Sequence, residues 1–384
     1  MTPGARVAAA IACLDQILAG QPAEQVLTTW GRMNRFAGSK DRAAIRDHVY
    51  GALRRKRSAA HVGGAMTGRG LMIGALQMDG AELSALFNGE GHAPAGLDGI
   101  EGQGDLTTAD PAARADLPDW LFTLLSVERG DDALAIGQAL RSRAPVWLRV
   151  NTLRATREKA AQALADDGIE TGVHPTLDTA LEVTGNAQKV SQSAPYLSGM
   201  VELQDAASQG AISRLPLRNG MKVLDYCAGG GGKALAIAAG TRAPVWAHDA
   251  DPRRMGDIPA RAKRAGADIR VTPDLRKAGQ FDLVFVDAPC SGSGTWRRTP
   301  DAKWKLTADS LSRVVRLQDE IITKAEAFVA PGGVLAYATC SILADENQNH
   351  LPALLARGWR LEDEMRLDPS VHGDGFYLAI LSRG

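Results

Sequence analysis

The segment MKVLDYCAGGGGKA, residues 221–234, decides the fold of the second half of the chain. Apolar residues form a short strand that ends at Asp225, and four consecutive glycines then lead into a helix from Lys233. Glycine allows positive φ and close approach to a ligand, and a helix N-terminus offers unpaired N–H groups. Dinucleotide-binding folds use the same physics with another glycine spacing, so the turn alone does not identify the ligand.

Strands and helices alternate from this segment to about residue 339. The strands read KVLDY, PVWAHD, ADIRVT, FDLVFVD and GVLAYAT, and helices are expected from Lys233, from Pro252 and over residues 307–328. Such repeated units with apolar strands are typical of a doubly wound parallel sheet. We therefore predict an α/β, Rossmann-like domain over residues 216–384.

Two further regions precede this domain. Residues 1–140 show helical periodicity, as in AAIACLDQILAG and DRAAIRDHVYGALRR, around a linker at 88–116 rich in Gly, Pro and Asp. In residues 141–215 the strands VWLRVNT, ALEVTG and MVELQD alternate with the helix REKAAQALADDG. We predict an all-α domain followed by a small α+β module, since 384 residues are too many for one core.

Composition excludes several classes of protein. No apolar run approaches the roughly 20 residues of a membrane-spanning helix, so we expect a soluble, cytoplasmic and monomeric protein without membrane contact. The four cysteines have no paired spacing, which argues against a disulfide framework or a metal site. The net charge is zero, which makes a general nucleic-acid binder less expected.

Basic residues are nevertheless clustered. One interpretation of each cluster is a solvated helix face, and the other is a set of phosphate contacts with RNA. The clusters are Arg54, Arg55, Lys56 and Arg57; Arg253, Arg254, Arg261, Lys263 and Arg264; and Arg297 with Arg298.

An acid ends or follows each of the first three predicted strands of the α/β domain: Asp225, Asp249 and Asp274. The carboxyl ends of parallel strands form the ligand edge of such sheets. There Asp249 can accept both hydroxyls of a ribose and Asp274 can reach an adenine amino group. These acids fit a nucleoside ligand such as S-adenosylmethionine, whose methyl group is already activated. The alternative is that each acid only caps the following helix.

Two cysteines follow apolar strands at the same expected edge: Cys290 in FDLVFVDAPCSGSG and Cys340 in GGVLAYATCS. A thiolate can add to carbon 6 of a pyrimidine, which makes carbon 5 nucleophilic, and can leave again by elimination. A helix expected near Ala344 would favour the anion of Cys340, and Asp287 can share a proton with ring N3. A single cysteine here would be read as a small buried hydrophobe, but two favour catalysis.

Five motifs together resemble a known family: DAPCSGSGTWRRTPDAKWK, ATCSILADEN, QDAAS, LRVNTLR and DGFYLA. They are similar to the bacterial Sun/Fmu-type RNA cytosine-C5 methyltransferases, most closely to the small-subunit rRNA enzymes with an extra N-terminal domain. SKDRAAIRDHVYGALRR is similar to the NusB-like RNA-binding domain of these enzymes, a weaker match.

The resemblance implies a role for each matching residue. Cys340 is the expected nucleophile, Cys290 assists breakdown of the covalent intermediate, and Asp287 and Lys233 line the active site. The cofactor, S-adenosylmethionine, is expected to contact Asp225, Cys227, Ala228, Gly229, Gly231, Gly232, Lys233, Asp249, Arg254, Asp274 and Asp287.

One departure from the family pattern concerns the cofactor loop. Where the family usually has CAAPGGKT, this chain reads CAGGGGKA, with glycine at Gly230 in place of proline and Ala234 in place of threonine. We expect greater loop entropy and weaker cofactor binding.

The sequence therefore predicts an RNA cytosine-C5 methyltransferase that acts on an unpaired or flipped base. The RNA is expected to be small-subunit rRNA, with tRNA as an alternative, held by the all-α domain, the α+β module and Arg297 with Arg298. Two rivals stay open: a catalytically silent rRNA-binding assembly factor, and a DNA cytosine methyltransferase.

Overall fold

The computed structural model describes residues 1–383, the side chain of Lys277 excepted. The chain forms two compact units. The helical unit comprises Met1–Arg143 and Trp296–Leu306. The larger unit comprises Ala144–Thr295 and the chain from Thr307 onward. The predicted division into three domains stays a prediction.

The helical unit is built around an aliphatic core that includes Val7, Leu14, Ile45 and Leu71. Its N-terminal helices are α1 (Pro3–Leu18), α2 (Ala23–Met33), α3 (Ser39–Arg54), α4 (Lys56–Gly63), α5 (Gly68–Met78), α6 (Leu83–Leu86), α7 (Pro111–Arg114), α8 (Asp119–Arg129) and α9 (Asp132–Ala139). Helices α4 and α5 pack through glycine, because a Cβ on Gly63 would lie 1.9 Å from the carbonyl oxygen of Gly70.

The first part of the larger unit is a four-stranded antiparallel sheet in the order β2-β3-β1-β4. Its elements are β1 (Trp147–Val150), α10 (Arg157–Asp166), β2 (Glu170–Val173), β3 (Ala180–Gly185), α11 (Ala194–Leu197) and β4 (Val201–Leu203). The sequence did not predict β2. Its residues, ETGV, are exposed or half-buried and lack apolar alternation.

The second part is a seven-stranded sheet in the order β10-β11-β9-β8-β5-β6-β7. Its strands are β5 (Val223–Asp225), β6 (Val245–Ala247), β7 (Ile269–Val271), β8 (Phe281–Asp287), β9 (Val329–Thr339), β10 (Trp359–Leu367) and β11 (Phe376–Arg383). Strands β5 to β9 pair in parallel, which confirms the Rossmann-like α/β prediction. The sheet is mixed, however, because β11 is antiparallel to both β9 and β10.

The remaining helices are α12 (Ala206–Arg214), α13 (Gly232–Thr241), α14 (Ile258–Ala265), α15 (Pro300–Lys305), α16 (Ala308–Glu326) and α17 (Leu351–Ala356). The helix expected from Pro252 is a 3₁₀ turn that ends at Met255, and α14 begins only at Ile258. Among the described residues, no helix has the length and apolar character needed to cross a membrane.

The segment Trp296–Leu306, which includes α15, packs on α3 within the helical unit. The Nε of Arg54 donates to the carbonyl of Arg297 at 2.6 Å, and the indole Nε1 of Trp304 donates to the carbonyl of Leu53 at 2.8 Å. Arg297 is 1% exposed. The expectation that Arg297 holds RNA is therefore wrong, since its side chain is inside the helical unit.

The other members of the Arg54 cluster are also engaged within the helical unit. Arg55 forms a two-pronged ion pair with Asp79 at 2.7 and 2.8 Å, and Arg57 pairs with Asp119 at 2.5 Å. Lys56 lies 5.2 Å from the ring centre of Trp304, and burial lowers the pKa of its amine. This cluster stabilises the helical unit and forms neither a solvated face nor an open phosphate site.

Candidate active site

The two sheet-edge cysteines lie in contact. Cys340 is the first residue after β9, and Cys290 lies in the loop that follows β8. Because β8 and β9 are adjacent and parallel, their carboxyl ends share one edge of the sheet. The two Sγ atoms are 3.3 Å apart. The structure thus brings together the two thiols that the sequence assigns to this edge.

The two thiols differ in their electrostatic surroundings. The hydrogen bond from Cys290 lowers the pKa of Cys340, and Lys233 acts in the same direction against burial. The pKa of Cys290 is raised well above its ordinary value by that same hydrogen bond and by burial. These directions favour Cys340 as the thiol that ionises and Cys290 as the donor of their hydrogen bond.

Lys233 and Asp287 form an ion pair next to these thiols, with Nζ and Oδ2 2.6 Å apart. Burial acts to lower the pKa of Lys233, but the charge and hydrogen bond of Asp287, together with the charges of Cys340 and Asp225, raise it above its ordinary value. Both charges also shift the pKa of Cys340. The arrangement places a fixed ammonium and a carboxylate within reach of the thiolate.

Asp225, at the end of β5, is 1% exposed, and neither of its carboxylate oxygens has a hydrogen-bond partner of standard geometry among the described residues, although the nearby N–H of Ala234 favours the charged form. Burial raises the pKa of Asp225 to about 7, and repulsion from Asp287 adds to this effect. A buried carboxylate without partners costs free energy. Its two free acceptors suit a ligand that carries several donors.

The glycine-rich turn has the backbone that the sequence predicts. Gly229 has φ +50° and Gly231 has φ +79°, both in the left-handed region. A Cβ on Gly231 would lie 2.8 Å from Cγ1 of Ile258. Gly232 is the first residue of α13, so the turn presents a helix N-terminus next to Asp225.

Asp249, beyond the end of β6, is 3% exposed and braces this turn. Its Oδ2 accepts the backbone N–H of Gly229 at 2.9 Å, and its Oδ1 accepts the N–H of Asp251 at 3.0 Å. The guanidinium of Arg254 pairs with the same carboxylate at 3.1 Å. Carboxylate lone pairs remain for further donors, because each oxygen accepts more than one hydrogen bond.

Asp274 has a different setting. Its carboxylate caps a 3₁₀ turn by accepting the N–H of Arg276 at 3.0 Å, and it pairs with the Arg276 side chain at 2.7 Å. These hydrogen bonds lower the pKa of Asp274 to about 2. Its expected contact with an adenine amino group stays a prediction. Cys227, half-buried, and Ala228, buried, complete the predicted set and lie between β5 and the glycine-rich turn.

A buried carboxylate that sequence reasoning missed joins the two cysteine loops. Glu346 is 0% exposed, and it accepts the N–H of Ser291 at 2.6 Å, the Ser291 hydroxyl, and the Ser341 hydroxyl at 2.5 Å. Ser291 follows Cys290 and Ser341 follows Cys340. We call Glu346 and these two serines the serine clamp. The signal lay in ATCSILADEN, where the acid was read as part of a helix start.

The expected helix near Ala344 is a three-residue 3₁₀ turn, Ala344–Glu346, and α17 begins at Leu351. So short a turn has no helix dipole to stabilise an anion, and that part of the prediction is wrong. Lys233 and the Cys290 thiol take that role. Gln318 on α16 supports the clamp, donating to the carbonyl of Pro289 at 2.9 Å and to Glu346 at 3.2 Å.

The four-stranded sheet also supports the glycine-rich turn. Glu202 on β4 is 2% exposed and pairs with Arg261 at 3.1 Å and Arg264 at 2.5 Å, both on α14. Arg261 also donates to the carbonyl of Gly230. The side chain of Arg261 therefore holds the glycine-rich turn at Gly230, where the family usually has proline. This contact limits the greater loop entropy expected from the sequence.

Two family models match parts of the chain. Residues 212–381 match the model of the 16S rRNA methyltransferase RsmB/F family, and residues 117–190 match the ferredoxin-like domain of RsmF/B-like methyltransferases. Two solved structures share the fold: a methyltransferase homolog protein from Pyrococcus horikoshii (TM-score 0.64, 23% identity, 72% of this chain and 98% of that one) and NSun6 from the same organism (TM-score 0.63, 19% identity, 70% and 98%).

Two curated relatives carry the name ribosomal RNA small subunit methyltransferase B. The protein from Vibrio cholerae is 35% identical over 304 residues, covering 74% of this chain and 69% of the relative. The protein from Cronobacter sakazakii is 33% identical over 282 residues, covering 69% of this chain and 66% of the relative. The match thus spans about two thirds of the length of these relatives. The resemblance drawn from the cysteine motifs is confirmed: the chain belongs to the RsmB/F family of 16S rRNA methyltransferases.

Proposed function

We propose that the chain transfers a methyl group from S-adenosylmethionine to carbon 5 of a cytosine in small-subunit rRNA. The observation that carries this proposal is the 3.3 Å contact between Cys290 and Cys340, with the pKa of Cys340 lowered and that of Cys290 raised. Cytosine-C5 chemistry needs a nucleophile that adds and leaves, and a second group that handles the carbon 5 proton. The two thiols supply one group for each task.

S-adenosylmethionine, the cofactor predicted from the sequence, agrees with membership of a methyltransferase family. The residues present fit it: Asp225 has two buried acceptors without partners, and Gly229 and Gly231 keep side chains out of the turn. We expect Asp249 to accept the ribose hydroxyls. The cofactor supplies an electrophilic methyl group, and the chain's own residues prepare the base.

The proposed reaction begins at Cys340. Its thiolate adds to carbon 6 of the cytosine, and the electron pair of the 5,6 double bond moves to carbon 5 and the N3 side of the ring. The Lys233–Asp287 pair brings a proton to N3, where negative charge develops. Carbon 5 is then the nucleophile that accepts the methyl group.

Release needs a base for the proton at carbon 5. Once the Cys340 sulfur is bound to carbon 6, it no longer accepts the hydrogen bond of Cys290 as a thiolate. Cys290 still carries its own proton, so it acts as a relay: it passes that proton to the departing Cys340 sulfur, 3.3 Å away in the free protein, and takes the carbon 5 proton, directly or through water, as the carbon 6–sulfur bond breaks. Cys340 leaves as a thiol and loses the proton to solvent when its thiolate is restored. N3 returns its proton in the same step, and the atoms balance.

The substrate is proposed from the relatives, whose names specify small-subunit ribosomal RNA. A tRNA substrate and a silent assembly factor remain the alternatives. The site argues against a catalytically silent assembly factor, because a protein that only binds rRNA has no need of two thiols in contact. It also weighs against a DNA cytosine methyltransferase, which needs no second cysteine.

The test combines mapping with two variants. Bisulfite sequencing of rRNA and tRNA, with and without the gene, should show one lost 5-methylcytosine in 16S rRNA. Cys340→Ser should abolish methylation and leave cofactor affinity unchanged, because an alcohol is too weakly acidic to add to the ring. Full turnover by Cys340→Ser would exclude the proposed nucleophile.

The second variant isolates Cys290. Cys290→Ala should accumulate a protein–RNA adduct that survives denaturing electrophoresis, and the double variant with Cys340→Ser should form none. The double variant is the matched control. No adduct in Cys290→Ala, with RNA and cofactor both bound, would contradict this division of labour.

A further inference from the structure

A cavity of about 450 Å³ lies in the larger unit, where three elements meet. They are the turn after β2, the helix α12 and the loop between β10 and β11. Its apolar lining includes Leu177, Met365 and Leu367, and two imidazoles, His174 and His372, line it as well. We call it the histidine pocket.

The rings of the pocket form an edge-to-face series. The His174 ring centre lies 5.0 Å from that of Trp147 and 5.7 Å from that of His372, at interplanar angles of 63° and 71°. His174 is held by its turn, because its Nδ1 accepts the N–H of Leu177 at 3.2 Å. His372 is exposed at the tip of its loop, next to Val371, which is 76% exposed. His372 is thus a residue of the cavity lining that a ligand can reach from solvent.

The loop that carries His372 is tied to the catalytic cysteine by backbone hydrogen bonds. The N–H of Gly375 donates to the carbonyl of Gly294 at 3.0 Å, and the N–H of Gly294 donates to the carbonyl of Cys340 at 3.0 Å. The N–H of Asp374 donates to Asp205 at 3.0 Å, which fixes the loop on the start of α12. Two backbone hydrogen bonds in succession thus connect the loop of the histidine pocket to Cys340.

The charge of the pocket favours a base over a phosphate. Arg214 lines it, but its guanidinium is engaged by Asp363 at 2.6 and 2.5 Å. The other residues of the lining that carry a full charge are two acids, Asp368 and Asp374. A nucleobase has an apolar face for the rings and a polar edge for the rim, and single-stranded RNA is recognised largely by such stacking.

We propose that the histidine pocket binds the nucleobase adjacent to the target cytosine in the RNA chain. The proposal rests on the proposed function. It adds that the enzyme holds two bases of a single-stranded segment, one at Cys340 and its neighbour against His372. The pocket is a positioning site and takes no part in bond formation.

The test uses a short RNA hairpin that contains the mapped cytosine, and matched hairpins with an abasic residue on its 5′ or 3′ side. His372→Ala should raise the KM for the intact hairpin about 5-fold or more, with cofactor affinity unchanged, because base stacking is lost. His372→Phe keeps a ring and should restore the KM. His92→Ala, at an exposed histidine of the helical unit, is the control.

The decisive result is a double-mutant comparison. One of the two abasic hairpins should show the raised KM with the unaltered protein and no further rise with His372→Ala. If His372→Ala and both abasic residues act independently, or if the KM of His372→Ala is unchanged, the pocket does not hold the neighbouring base. If the mapping finds no 5-methylcytosine that depends on the gene, the proposed function fails instead.

Discussion

Asp225 is a buried carboxylate whose two oxygens lack hydrogen-bond partners of standard geometry, so a ligand with donors would stabilise it. Its pKa of about 7 in the folded protein lies above the ordinary value of 3.8, so the folded protein binds more protons than the unfolded chain between these values. Stability without cofactor should therefore fall as pH rises from about 4 to 7 and stay low above it. A ligand that donates to the two free oxygens would remove this cost.

Asp225→Asn should remove the pH-dependent cost. The cofactor-free variant should be more stable than the unaltered protein, by an amount that grows by about 2 kcal/mol between pH 5 and 8, measured by urea unfolding. Asp274→Asn is the control, because the pKa of that exposed acid is about 2 and it does not titrate in this range. If the difference in unfolding free energy between Asp225→Asn and the unaltered protein does not change with pH, then burial does not raise the pKa of Asp225.

We expect the serine clamp to position the two thiols, because Ser291 and Ser341 each follow a cysteine and both bind Glu346. Glu346→Gln removes the charge that holds Ser291 and Ser341, so the two cysteine loops should separate. We expect a fall in kcat of about 10-fold or more, because small displacements of reacting groups are costly. The KM for cofactor should hardly change, since Glu346 contacts the cysteine loops and not the glycine-rich turn.

The clamp prediction has a matched control and a second readout. Asp345→Asn changes the neighbouring acid, whose carboxylate accepts an exposed hydrogen bond from Asn349, and should keep normal kcat. Combining Glu346→Gln with Cys290→Ala should reduce the yield of covalent RNA adduct. An undiminished kcat and adduct yield would mean that the thiols do not depend on Glu346.

At the scale of elements, Glu202 joins the four-stranded sheet to the cofactor side of the seven-stranded sheet. Three arginines surround its buried carboxylate, including Arg149, whose pKa is lowered to about 10 by burial against the pull of Glu202. Glu202→Gln leaves buried cations without their counter-charge. It should destabilise the protein by about 3 to 5 kcal/mol in urea unfolding.

Glu202→Gln should also affect the glycine-rich turn. Arg261 loses its partner and with it a fixed position against the carbonyl of Gly230, so calorimetry should show weaker S-adenosylmethionine binding. Glu320→Gln, which breaks an exposed pair with Lys324, should cost about 0.5 kcal/mol or less. Equal effects of the two changes would show that the Glu202 pairs contribute little.

The sequence predicts the parallel strands well, because an apolar run such as FDLVFVD is by itself typical of a buried strand. It missed β10, WRLEDEMRL, where charged residues dominate and pairing with β11 decides the structure. It also placed a helix at Pro252, where Asp251 caps a 3₁₀ turn instead. Local propensity does not contain these tertiary constraints.

Part of the candidate site could likewise be predicted from the sequence, and part could not. The thiol pair was predictable because strand ends of a parallel sheet share an edge. The serine clamp was not, because its members lie on two loops and only the fold shows that Glu346 meets Ser291. The Arg54 cluster was misread for the converse reason: its partners, Asp79 and Asp119, are distant in sequence.

At the scale of the whole molecule, one stretch of chain belongs to both units in succession. The loop after β8 carries Cys290 and ends at Thr295 in the larger unit, and the next residues, Trp296–Leu306, are part of the helical unit. Lys303 is 1% exposed there, and its Nζ donates to the carbonyl of Arg54 at 3.2 Å. The helical unit therefore fixes one end of the segment that follows the Cys290 loop, in addition to any role in RNA binding.

Arg54→Gln tests this structural role. Burial lowers the pKa of Arg54 to about 10, and its Nε donates to the carbonyl of Arg297, so the residue is committed to the protein interior. The variant should lose about 1 to 3 kcal/mol of stability. Hydrogen exchange should accelerate in α3 and in Trp296–Leu306 together, while Arg46→Gln, at an exposed pair with Glu24, leaves both unchanged. The salt dependence of RNA binding should keep its slope, because no phosphate contact is lost. A reduced salt dependence of RNA binding, together with unchanged hydrogen exchange, would show that Arg54 contacts RNA. That result would contradict its assignment to the protein interior.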